Sequence, residues 1–130
     1  MVPESSPERI QAVLQLPATR RYAYFLQRVV ATGEVWGLDA EGWALAVDDE
    51  GGDVLPLWPG AEFATLCARR LWEGYEPKPL PLDELMRVVL PQLEAEGLSL
   101  GVFFTPQGQG YPVTAAKLRE DLSAARGLPA

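Results

Sequence analysis

A chain of 130 residues with 18 acids, 11 bases and a formal charge of −7 is one domain on length alone. It is a poor partner for nucleic acid, whose phosphates call for a dense basic surface. Hydrophobic residues make up 48% and charged residues 22%, the balance of an ordinary globular domain, and no apolar run approaches the ~18 residues of a membrane span.

Residues 1–6 read as a flexible tail and 7–126 as a single domain. Ser6 followed by Pro7 is a helix start, and Ile10, Val13 and Leu14 keep helical spacing up to Pro17. Thr19 is expected to cap a second helix whose apolar face is Tyr22, Phe25, Leu26, Val29 and Val30, with Gly33 as its left-handed stop. The period then changes. Glu34 to Leu38, Trp43 to Val47 and Asp53 to Trp58 read as three strands separated by short polar turns, which favours an antiparallel meander. Pro56 lacks an N–H, so the third strand is expected at an edge or a bulge.

Pro59 or Gly60 opens a helix carrying Phe63, Leu66, Cys67 and Leu71, and Gly74 breaks it. Pro77, Pro79 and Pro81 force an extended segment, because proline fixes φ and restricts its predecessor. A long helical pattern runs from Pro81 to Glu96, with Pro91 expected to kink or split it and Gly97 to cap it. Leu98 to Phe104 is a continuous apolar run suited to a buried central strand. Tyr111 to Val113 forms a short further strand, and Thr114 caps a last helix with Leu118 and Leu122. The expected fold is α+β: a three-stranded antiparallel meander and one later strand packed against about five helices.

Several blocks carry a likeness: Arg21-Tyr22 with Tyr24-Phe25-Leu26, Glu34 to Leu38, Leu55 to Pro59, Trp72 to Pro77, and Leu90 to Leu98. In this order and spacing the chain resembles the small bacterial family catalogued as domain of unknown function 2750, over roughly residues 19–122. The resemblance implies a one-domain cytoplasmic protein and brings no activity, cofactor or catalytic residue. The family pattern has Gly-Val-Asn-Trp where this chain has Gly101-Val102-Phe103-Phe104, so its Asn is absent here.

Chemistry-bearing motifs are scarce. There is no histidine and one cysteine, which removes zinc clusters, internal disulfides and histidine-assisted nucleophiles. Cys67 lies on an apolar helix face and reads as a small core residue. The carboxylates of Asp48, Asp49, Glu50 and Asp53 lack the spacing of an EF-hand and read as a solvated turn, so no metal and no cofactor is expected. A missing signal-peptide pattern and the lone thiol suit a reducing cytoplasm.

What remains is an aromatic and proline-rich seam: Trp58, Arg69, Trp72, Glu73, Tyr75 and Glu76. Aromatics and arginine dominate binding hot spots, and an acidic chain attracts basic partners. The leading reading is a non-enzymatic protein-interaction module whose seam meets a protein partner with a basic surface, without nucleic acid or membrane. A small-ligand-binding domain and a carboxylate-dependent enzyme are the alternatives. A homodimer through the edge near Pro56 is compatible with each.

Overall fold

The first turn of the chain follows its capping chemistry. The Ser6 side chain accepts from the Arg9 N–H at 3.2 Å and Pro7 takes the first helical position of α1 (Pro7–Leu14). The computed structural model describes residues 6–47, 50–108 and 110–127. Helix α2 (Ala18–Thr32) starts one residue before the expected cap at Thr19. Pro17 fixes the entry, and its carbonyl accepts from the Arg20 and Arg21 N–H groups at 2.9 Å, so no side-chain cap is needed. Gly33 ends α2 at φ +77°, the left-handed stop read from the sequence.

Among the described residues, six strands follow in two sheets. Strand β1 (Glu34–Asp39) pairs antiparallel with β4 (Glu76–Pro81). Strands β2 (Ala46–Val47), β3 (Asp53–Leu57), β5 (Ser99–Val102) and β6 (Tyr111–Thr114) form the second sheet in the order β2-β3-β5-β6, with β3 and β5 parallel. The three strands expected as one meander therefore divide between the sheets. The reason lies in the edges of β1. One edge is taken by β4, and the other by Trp58 and Ala44, which bond Trp36 and Leu38. Trp36 and Trp58 exchange both backbone bonds, at 2.9 and 2.7 Å, and this isolated bridge is where the sheets meet.

Pro56 sits in an interior strand, not at an edge. The Leu57 carbonyl accepts from Phe103 N–H on the β5 side, so Pro56 faces the opposite side. There β2 reaches only Asp53 and Val54, and β1 meets only Trp58. The missing donor falls in the gap between them.

The same alternation fixes β4. Trp36 faces Trp58, so Val35, Gly37 and Asp39 face β4, and their register partners Leu80, Lys78 and Glu76 face back. Leu82 continues the set by donating to the Gly33 carbonyl at 2.8 Å. Pro77, Pro79 and Pro81 all turn outward. The outer edge of this strand thus presents carbonyls and no N–H group.

Helix α3 (Ala61–Leu71) runs between β3 and β4, and the long helix α4 covers 82–96. The helix runs on through Pro91, which does not split it. Residues Leu85–Val89 widen into a π turn in which the Leu90 N–H reaches the Leu85 carbonyl. The extra residue opens the backbone just where the proline ring would meet the preceding turn. Gly97, at φ +72°, ends it. Helix α5 (Ala115–Ala125) begins at Thr114, whose side chain accepts from Lys117 N–H. Counted this way there are five helices among the described residues, and the fold is α+β. One core lies between helices and sheets, with Phe25, Val29, Leu57, Trp58, Phe63, Leu90, Leu100 and Leu118 all fully buried. Each such side chain contributes about 1.5–3 kcal/mol. Among the described residues, no helix is long and apolar enough to cross a membrane.

Candidate functional site

The site is organised by a reversal after β5. Phe103 adopts φ +62°, a left-handed conformation unusual for a bulky residue. Its N–H is held by the Leu57 carbonyl at 2.7 Å and its ring packs on Phe63 with centroids 4.7 Å apart. That turn swings Phe104 across Gly101 and Gly110, where an added Cβ would run into the ring. The Phe104 carbonyl then accepts two bonds, from Trp58 Nε1 at 3.0 Å and from Cys67 Sγ at 3.1 Å. Burial pushes the Cys67 thiol up to about 12. Cys67 is fully buried, as the apolar helix face predicts.

Trp72 stands edge-to-face against both Trp58 and Phe104, which are tilted to each other by 53°. Trp72 lies 5.8 Å from Trp58 and 5.7 Å from Phe104, at interplanar angles of 83° and 84°. Trp72 Nε1 also points to the Leu45 carbonyl at 3.4 Å. Trp58 has no exposed surface, so it supports the seam from inside and offers nothing to a partner. Trp72 is half-buried and clamps the end of α3 to the segment before β2.

The other four residues of the expected seam come together. A cleft of about 300 Å³ is lined by Thr65, Ala68 and Arg69 of α3 and by Glu73, Gly74, Tyr75, Glu76 and Pro77. Gly74 makes the reversal at φ +92°, a conformation costly for any side chain. Arg69, Glu73 and Glu76 are exposed, and Tyr75 is half-buried. Thr65, Ala68 and Pro77 complete the lining without a sequence signal, because only the packing of α3 beside β4 brings them in.

Elsewhere the charged groups hold the scaffold. Arg28 and Glu62 pair at 2.8 Å, and an added Cβ at Gly60 would strike both side chains. Tyr22 donates to Asp121 at 2.6 Å and stacks on Tyr111; burial, then the Asp121 bond, raises its pKa. Lys117 meets Asp121 at 3.2 Å, and that bond raises its pKa. Arg21 is buried, donates to the Leu16 carbonyl at 2.6 Å, and has its pKa lowered by desolvation. Among the described residues, no three His, Cys, Asp or Glu side chains converge as metal ligands. Asp48 and Asp49 of the acidic turn lie outside the described residues.

A family model described as a protein of unknown function (DUF2750) matches residues 22–122. No curated protein matches the chain.

Proposed function

The chain belongs to the DUF2750 family, and we propose that it is a non-enzymatic protein-interaction module of the bacterial cytoplasm, meeting a basic partner at the cleft between α3 and β4. The observation that carries this reading is the convergence of Arg69, Glu73, Tyr75 and Glu76 on one shallow cleft. Arg69 stands on α3 and Glu76 on β4, and the loop between them is held by Trp72, so little backbone ordering is needed on contact. The acidic balance of the chain, −7, steers basic partners toward it.

A small-ligand reading draws support from the cleft volume of about 300 Å³, which reaches the lower end of ligand pockets. One experiment separates the two. Tagged protein is used to capture partners from native lysate at low and high salt, beside a Tyr75→Ala/Glu73→Gln/Glu76→Gln variant whose thermal unfolding is checked first. The expected result is a stoichiometric protein retained at low salt, released at high salt and absent from a folded variant. Retention of the same partner by the variant moves the contact elsewhere. Absence of any partner, with a saturable tyrosine or tryptophan fluorescence response to small metabolites, favours the ligand.

A further inference from the structure

We propose that the partner presents an arginine to the outer edge of β4, and that it docks there by side chain and not by adding a strand. This rests on the reading of the cleft as a contact surface. Strand addition needs alternating donors and acceptors along the free edge. At β4 the outward positions are Pro77, Pro79 and Pro81, so the edge accepts hydrogen bonds and donates none. Pro79 and Pro81 are exposed, and Pro77 also lines the cleft, which makes edge and cleft one continuous surface.

An acceptor-only edge is matched by a donor-only group. Guanidinium carries five N–H donors in a planar fork and no acceptor. It pairs with carboxylates in bidentate fashion, and Glu73 and Glu76 stand exposed beside Pro77. It also stacks on aromatic faces, and Tyr75 is the half-buried ring of the same cleft. An ammonium shares the charge but not the fork or the plane. Arg69 lines the cleft too, and it repels the incoming cation, which gives the proposal a signature of two signs.

The test uses the full chain and three blocked peptides of equal length that differ only in carrying arginine, lysine or citrulline. Each is titrated into labelled protein and followed by backbone amide shifts. The expected result is saturable shifts confined to residues near 65–79 with the arginine peptide, weaker ones with lysine, and none with citrulline. Glu73→Gln and Glu76→Gln each weaken the arginine peptide about three- to fivefold, while Arg69→Gln strengthens it about twofold. Glu120→Gln, on a distant helix, changes nothing.

Equal weakening by Glu120→Gln overturns the proposal, because it reports only the net charge of the chain. Equal binding of citrulline overturns it also, as does a lysine peptide that binds as tightly as arginine. If the lysate partner is lost with the Tyr75/Glu73/Glu76 variant yet is not competed by the arginine peptide, the contact surface stands and the arginine fails. If there is neither a partner nor a shift near the cleft, both fail together.

Discussion

Phe103 shows how a residue can be visible in a sequence and still opaque. Left-handed backbone suits glycine and, among the other residues, asparagine best. The backbone at Phe103 is left-handed, at φ +62°, a conformation that a bulky side chain rarely adopts. Here Phe meets this demand by burying its ring against Phe63 and Tyr24. An apolar run hides the break, which is why the strand reads on to Phe104 while β5 ends at Val102. Cys67 was legible as a core residue because its helical neighbours are apolar; its bond to the Phe104 carbonyl was not, since the partner is 37 residues away. The burial of that thiol makes a pH prediction. The thiol moves from 9.0 up to about 12, so the folded state keeps a proton that the unfolded state releases in this window. The stabilisation is complete below about pH 9 and is lost as pH rises toward about 12. Tyr22, raised from 10.0, adds loss of the same sign above about pH 10. Urea unfolding should show the wild type losing on the order of 1 kcal/mol between about pH 8 and about pH 10 through this thiol. Cys67→Ala, weaker at every pH, should show that much less decline; parallel curves would mean the thiol is not shielded as described.

At the scale of elements, local signals were read well and pairings were not. Capping residues, glycine stops and 3.6-residue periodicity placed four of the five helices within a residue or two. The stretch 77–81 was legible as extended because three prolines allow nothing else. That it pairs with β1 was not, since proline argues against a ladder until one sees that all three face outward. The meander expectation holds for β2 and β3, which pair antiparallel, and not for β1, whose ladder is with β4 while its other edge meets its chain neighbours only at Trp43, Ala44 and Trp58. Likewise Pro91 is expected to kink or split its helix, and the helix instead continues through it beside a π turn at Leu85–Val89. The outward prolines also carry a prediction about association. Pro79→Val keeps an extended, β-favouring residue and returns an N–H to the free edge. Its cost in stability should be small, about 0.4–1 kcal/mol from the freer unfolded chain. Its effect on solution state should be larger, with concentration-dependent association by light scattering that the parent chain does not show. A monomeric variant at every concentration would remove the edge-protection role of these prolines.

At the scale of the whole molecule, the two small sheets meet at the Trp36–Trp58 bridge, and the seam surrounds that junction. Trp58 therefore serves the scaffold, although composition alone sets it beside Trp72 and Tyr75 as a contact residue. Sequence places all six candidates within nineteen positions (58 to 76), but it has no means to separate inside from outside there, because irregular segments carry no periodicity. The structure divides them: Trp58 and Trp72 face the Phe104 turn, and Arg69, Glu73, Tyr75 and Glu76 face the cleft. This division has a measurable consequence for stability against binding. Trp72 bridges α3, Phe104 and the Leu45 carbonyl, three segments far apart in the chain. Trp72→Ala should cost about 2–4 kcal/mol, since it leaves a void against two aromatic rings and frees the segment before β2. Tyr75→Ala opens no such void and should cost about 1 kcal/mol or less, and Glu73→Gln and Glu76→Gln should stay within about 0.5 kcal/mol. Denaturant unfolding of the single variants checks this order. If Tyr75→Ala proves as costly as Trp72→Ala, the cleft is part of the core and its residues are spoken for by folding. If the order holds, a loss of partner on substituting Tyr75 or either glutamate reports the contact itself, because the frame that carries them is fixed from behind by the tryptophans.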